Sequence, residues 1–236
     1  MSSPLRIGFV VEGPTDRVVL ESVVQILLGK RDFEPVQLCP ELSENLGAKG
    51  GGGWTSVYFW CKQAVEQAGG KIESNPLFDT FDVLIVLVDA DVAGFEYGDD
   101  QRITNPPADL PCHRPCPPAR STTDALRCVI LGWMGESDVP AKTVICIPSK
   151  TLETWVLVAL FPENRVSRSK NVECHPDPEA QLQSQPLKQR LIRSGTKDIE
   201  LYRRRATDVS GAWPRVRKSC GEAERFSVEL VAAIPN

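Results

Sequence analysis

Residues 81–94 read FDVLIVLVDADVAG. The run 83–88 is apolar and rich in β-branched side chains, which predicts a strand buried on both faces of a parallel sheet. It passes without a break into Asp89 and Asp91, spaced i, i+2, and then Gly94. In an open α/β sheet the carboxyl ends of the strands face the ligand crevice, so both acids are expected at the active edge. On an ideal strand they also point to the same side. Two carboxylates side by side repel each other unless a cation or a shared proton separates them. The pattern predicts a site for magnesium.

The N-terminus repeats the pattern. Residues 5–11 (LRIGFVV) form a short apolar strand that ends at Glu12. Gly13 and Pro14 make a turn, Thr15 is placed to cap, and a helix is expected from Asp16 with Val18, Val19, Val23, Ile26 and Leu27 on its apolar face. If the first and third strands lie side by side, Glu12 joins Asp89 and Asp91 at one edge. Three carboxylates suit a hard divalent ion, Mg²⁺ or Mn²⁺, that keeps several waters and takes a phosphate oxygen. The plainer reading makes Glu12 and Asp16 acids that favour a helix start. The second acidic strand end tips the balance towards the site.

Glu12-Gly13-x-x-Asp16 after one strand and Asp89-x-Asp91-x-x-Gly94 after a later one resemble the TOPRIM domain over roughly residues 5–160. That domain is shared by topoisomerases, bacterial primases, ribosomal RNA maturases and OLD-type nucleases. The run IPSKTLETW (147–155), with the basic tail beyond it, is similar to small standalone prokaryotic TOPRIM proteins linked to defence against phage. The resemblance implies metal ligation by Glu12, Asp89 and Asp91, with Asp16, Gly13 and Gly94 in support. Through the OLD-type nucleases it also implies a further acid, for which Glu153 is placed. Such defence proteins often work with a separate ATPase partner, and this chain carries no ATPase motif.

The wider composition is that of a soluble globular protein: 236 residues, 42% hydrophobic, 25% charged, net charge −4. Charge is unevenly spread. Residues 186–225 hold eleven Lys and Arg against five acids, and the rest is acidic. A basic appendage beside an acidic edge suits a phosphate-backbone substrate, DNA or RNA, although a solvated helical face gives the same count. No apolar run approaches the roughly 20 residues that span a bilayer, and the first residues do not read as a signal peptide. A cytoplasmic location is expected, and the eight cysteines, irregularly spaced, should mostly be free core thiols. The oligomeric state stays open, a homo-oligomer included.

Between the acidic strands, LGAKGGGGW (46–54) leads into an amphipathic helix over 55–67. Its backbone amides are able to approach a phosphate, but no Lys-Ser/Thr pair closes a Walker loop, and a flexible connection is the simpler reading. Residues 94–120 hold six prolines and no periodicity, which predicts a long, partly ordered lid. Within it Cys112, His113 and Cys116, taken with Cys174 and His175, offer soft ligands for zinc at a nonstandard spacing. A helix over 122–134 and a strand over 143–147 follow. Ser149 then caps a helix near Lys150, which brings Lys150, Glu153 and Trp155 to the same edge: Lys150 for a phosphate, Glu153 as ligand or capping acid, Trp155 as core.

After residue 161 a polar linker (162–179) precedes helices expected at 179–194, 206–219 and 222–233. Arg203, Arg204 and Arg205 cannot all face one way on a helix, so at least one is left for phosphate or a partner. The whole reads as βαβαβαβα: a TOPRIM-like, Rossmann-like, mostly parallel four-stranded sheet with helices on both faces over 1–161, and a basic helical extension over 162–236.

A topoisomerase needs a nucleophilic tyrosine in a recognisable setting, and Tyr58, Tyr97 and Tyr202 have none. A primase needs more apparatus than this chain holds. Metal-assisted hydrolysis of nucleic-acid phosphodiesters remains, with Glu12, Asp89, Asp91 and Glu153 as the acting acids. Two other classes stay open. One is a haloacid-dehalogenase-like phosphatase, which expects its Asp-x-Asp on the first strand and a threonine where Ala93 stands. The other is a regulatory module that acts only with its ATPase partner.

Overall fold

A computed structural model describes residues 3–40 and 52–235. Four parallel strands form one sheet: β1 (Leu5–Val10), β2 (Phe33–Cys39), β3 (Val83–Leu87) and β4 (Thr143–Cys146), in the order β2-β1-β3-β4. Helix α1 (Pro14–Leu28) joins β1 to β2, α2 (Trp54–Gln67) precedes β3, and α3 (Arg120–Trp133) connects β3 to β4. Every residue of β3 and β4 is buried, which is why these strands read as unbroken apolar runs.

Alternate side chains feed two separate cores. Ile7, Phe9, Ile85, Leu87, Val144 and Cys146 face one side, against α1, α4 (Glu153–Leu160) and the C-terminal helices. Val10, Leu84, Val86 and Ile145 face the other, against α2 and α3. The chain leaves β1 towards β2 and later crosses back to lay β3 on the opposite flank of β1. The strand order therefore reverses between β1 and β3, and a crevice opens at their carboxyl ends.

The C-terminal third departs from the expected helices. In place of one helix over 179–194 there is a short α5 (Pro178–Gln183), then a hairpin of β5 (Ile192–Arg193) and β6 (Thr196–Lys197). Pro186 prevents the helix from continuing, and Ser194-Gly195, both at positive φ, turn the hairpin. The helix expected at 206–219 is two: α6 (Ile199–Gly211), capped by the Asp198 carboxylate accepting the Leu201 N–H, and α7 (Trp213–Ser219), broken from it at Ala212 with Pro214 in its first turn. The last is α8 (Gly221–Ala233). These helices contribute Tyr202, Val209, Trp213, Val216 and Phe226 to the same core as the sheet, where Trp155 packs edge-on against Trp213.

The proline-rich stretch is an anchored strap, not a partly ordered lid. Tyr97 is buried among Trp54, Tyr58 and Trp133; its hydroxyl donates to Asp109 (2.7 Å) and accepts from Trp133 Nε1 (2.6 Å). The N–H groups of Cys112 and His113 both donate to the Ala93 carbonyl. Cys116 is in a disulfide with Cys174, so these sulfurs are not thiolates for zinc, and the described residues hold no His/Cys/Asp/Glu group arranged for a metal. Cys61, Cys112, Cys128, Cys146 and Cys220 are free thiols, as most cysteines were expected to be. No helix among the described residues is long and apolar enough to cross a membrane.

Candidate functional site

Strand β1 runs through buried Val11 into Glu12, and β3 delivers Asp89 beside it. The Glu12 carboxylate accepts the Asp89 backbone N–H at 2.7 Å, so the two strand ends meet directly. Asp89 in turn accepts the Leu152 N–H on Oδ1 at 2.9 Å, which ties the start of α4 to the same point. Asp16 enters from the first turn of α1, where Gly13 and Pro14 redirect the chain. It is 3% exposed, and its Oδ1 has no hydrogen-bond partner.

Asp91 is held differently from the expected i, i+2 strand pair. Strand β3 ends at Leu87, and residues 90–94 wind into a 3-10 turn because Ala90 and Asp91 donate their N–H groups to the carbonyls of Pro148 and Lys150. Asp89 is consequently buried, whereas Asp91 is exposed and outside the lining of the cleft. Lys150 serves this contact through its backbone carbonyl.

Glu153 is fully buried at the start of α4. Its Oε1 accepts from Lys197 Nζ (2.7 Å) and from the Tyr202 hydroxyl (3.0 Å), and its Oε2 is without a partner. Lys197 also reaches Glu179 at 3.0 Å. The ammonium arrives on the β5–β6 hairpin, folded back over the sheet edge. Sequence reasoning missed both Lys197 and Tyr202: the Ser-Gly turn that presents Lys197 was the available signal, and it was passed over as the end of a helix expected at 179–194.

Glu12, Asp16, Asp89, Lys197 and Gly53 line one cleft of about 350 Å³. Gly53 donates its N–H to the Glu12 carbonyl (2.8 Å), and a Cβ at Gly52 would stand 2.9 Å from that oxygen, so the approach of α2 requires glycine there. Residues 46–51 of the glycine run lie outside the described residues. Gly13 and Gly94 make ordinary backbone at the edges of the site. Arg203, Arg204 and Arg205 lie on α6, outside the lining of this cleft. Arg203 pairs with Glu200, Arg205 with Asp208, and Arg204 donates to the Glu200 carbonyl. Arg203 borders a second groove beside Val18, Glu21 and Phe33.

The electrostatics follow from crowding. Burial raises Glu12 well above its usual range; the Asp89 N–H opposes this, and Asp16 and Asp91 add to it. Asp89 is raised by burial and then by Glu12, Asp16 and Glu153. Burial and Glu153 bring Asp16 to about 7; Asp91 reaches solvent, yet crowding by neighbouring chain desolvates it in part and, with Glu179, brings it to about 6. Burial pulls Lys197 down, but Glu153, Asp16 and Glu179 outweigh it and hold the ammonium above its ordinary value. The acids thus outnumber the cation among them.

No group of three such side chains is arranged as a metal cage among the described residues. The donor chemistry nevertheless fits a hard divalent ion: oxygen ligands only, and a buried Asp16 oxygen with nothing bound to it. No protein-family model, curated protein or solved structure matches the chain.

Proposed function

We propose that the chain is a Mg²⁺- or Mn²⁺-dependent phosphodiesterase acting on nucleic acid, with a TOPRIM-like core. The observation that carries the reading is the Glu12 carboxylate on the Asp89 N–H at the point where strand order reverses, beside an orphaned Asp16 oxygen. Buried acids this close are a liability unless something positive joins them. Glu12, Asp89 and Asp91 are the residues that would hold the ion, with Asp16 beside them. Held there, a divalent ion would supply Lewis-acid chemistry to a phosphate and to water.

The chain's own groups supply the rest. The Leu152 N–H fixes the orientation of Asp89, and the Lys150 carbonyl fixes the turn that carries Asp91. Lys197 offsets part of the negative charge and holds the Glu153 carboxylate at 2.7 Å inside the fold. Glu12, at the strand end beside Asp89 and Asp16, is placed either to hold the ion or to accept a proton from an attacking water. Incubating the purified chain with Mn²⁺ and supercoiled plasmid or structured RNA tests this. Nicked or shortened polymer, abolished by chelator and by Asp89→Asn, is the expected result. Intact polymer across both substrates and both metals would overturn it.

A further inference from the structure

Residues 172–174 form a single 3-10 turn, and three separate parts of the molecule are fastened to it. The Glu173 carboxylate accepts the N–H groups of Gly221 (2.7 Å) and Glu222 (3.0 Å), which anchors the start of α8. The Glu173 carbonyl accepts the Ser149 hydroxyl at 2.8 Å. Cys174 is bonded to Cys116, 58 residues earlier in the chain.

Both ends of that bond lead back to the acidic edge. From Ser149 the chain runs directly into Lys150, whose carbonyl accepts the Asp91 N–H, and Leu152, whose N–H donates to Asp89. From Cys116 the strap returns past His113 and Cys112, which both donate to the Ala93 carbonyl at 2.9 and 2.8 Å. The circuit Asp89–Asp91–Ala93–strap–disulfide–Glu173–Ser149–Leu152 closes on itself. Its one covalent cross-link is the disulfide.

We infer that the Cys116–Cys174 disulfide is a redox-operated clasp that sets how firmly the Asp89–Asp91 edge is held. The two sulfurs are accessible enough to operate: Cys116 and Cys174 are half-buried, and Pro115, Pro117 and Pro118 around Cys116 are exposed. The buried thiols Cys61, Cys146 and Cys220 are out of reach of solvent. A dithiol reductant opens the clasp in two steps. One of its thiolates attacks a protein sulfur, breaking the S–S bond and giving a mixed disulfide. Its second thiol then displaces the protein sulfur, leaving two protein thiols and the reductant as its own disulfide. Afterwards the strap is held at this end, among the described residues, by the Ala93 contacts, by Thr122 Oγ1, which bridges the Arg114 backbone, and by Leu110 and Cys112 packed on the core, with no covalent cross-link. The turn at 172–174 likewise loses its tie to the strap, and the freedom gained passes through Ser149 to the residues that orient Asp89 and Asp91.

The inference concerns how the edge is held and does not depend on the phosphodiesterase reading. Its test is hydrogen exchange read by mass spectrometry on the full chain, with alkylation to score thiols, before and after dithiothreitol. Without reductant, Cys116 and Cys174 should resist alkylation; with it, both should be labelled. Exchange in peptides covering 89–93 and 149–152 should then quicken about tenfold or more, with β1 and α1 unchanged. Cys116→Ser should reproduce this without reductant, and Cys128→Ser should not. Three results would overturn the inference: alkylation of both cysteines before reduction, acceleration confined to 110–118, or acceleration spread over the whole chain. If Cys116→Ser does not fold, the reduced wild type decides alone.

Discussion

Two groups of charged side chains in this molecule are arranged in opposite ways. On the outer faces of α6 and α7, Arg203 pairs with Glu200, Arg205 with Asp208, and Arg217 with Glu224 across to α8. Each of these acids has its cation, solvent reaches them, and each pair is worth about 0–1 kcal/mol. At the sheet edge, Glu12, Asp16, Asp89 and Glu153 gather around one ammonium, Lys197. Two of their oxygens lack any partner. Desolvated charge without a counter-charge destabilises a fold, so stability alone does not account for the second group. The balanced group is what a solvated surface needs; the unbalanced one is what the proposed metal site would need.

The hardest way to break that contrast is to remove an acid from the unbalanced group. Asp89→Asn keeps an acceptor for the Leu152 N–H, and Glu12→Gln keeps one for the Asp89 N–H, so the fold should survive. Metal-dependent cleavage should fall by about a hundredfold or more in each, the order lost when one well-placed group is removed. Because each variant deletes a desolvated charge, the melting temperature should hold or rise. Wild-type turnover together with a lower melting temperature would make these acids structural.

Next in size is the loss of the lone cation. Lys197→Met leaves the buried Glu153 side chain with only the Tyr202 hydroxyl, and breaking a buried pair in this way costs about 3–5 kcal/mol. Urea titration measures it. Adding Glu153→Gln to the same chain should recover much of the loss, since the acid that Lys197 contacts most closely is then neutral. Equal destabilisation in single and double variants would show that the pair is not coupled.

The parts of this site that sequence reveals are those fixed by local rules. Glu12 and Asp89 each stand where an apolar run stops, and parallel strands put such ends at one edge whatever the distance along the chain. Asp91 was half legible: its identity was, but its turn depends on the carbonyls of Pro148 and Lys150, about sixty residues on. Lys197 was hidden because nothing about one lysine among eleven basic residues says which will fold inward. Reading Ser194-Gly195 as a hairpin would have exposed it; the helix expected at 179–194 stopped at Ser194, with nothing assigned to the residues just beyond. Trp155 was read correctly as core, and its neighbour Trp213 explains why the C-terminal helices lie on the sheet.

A smaller effect separates the two groups by pH. Asp16 at about 7, Asp91 at about 6, and the raised Glu12 and Asp89 bind protons in the fold more tightly than in the unfolded chain. Their contribution to stability is therefore complete below the ordinary carboxylate range, near pH 4; the part owed to Asp91 and Asp16 is lost as pH rises through about 6 to 7, and Glu12 and Asp89 act in the same direction. Without metal, the urea midpoint should fall between about pH 5 and about pH 8, and Mn²⁺ should restore it at the upper end by taking the place of the protons. A midpoint that rises over this interval, or that ignores Mn²⁺, would mean the acids are not crowded as described.

The smallest effect belongs to the balanced group. Replacing Arg203, Arg204 and Arg205 together by alanine removes two ion pairs and one bond to the Glu200 carbonyl, all on the outer side of α6. Stability should change by no more than about 1 kcal/mol, because each partner acid returns to water. If polymer binds only along the acidic cleft, cleavage in low salt should be unchanged as well. If the strand also crosses α6, affinity should drop across all sequences alike, and its dependence on salt should become shallower, since fewer counterions are released on binding. The triple variant thus reports on more than its own pairs: a shallower salt slope with unchanged turnover at saturation would extend the substrate path from the unbalanced group onto the balanced one.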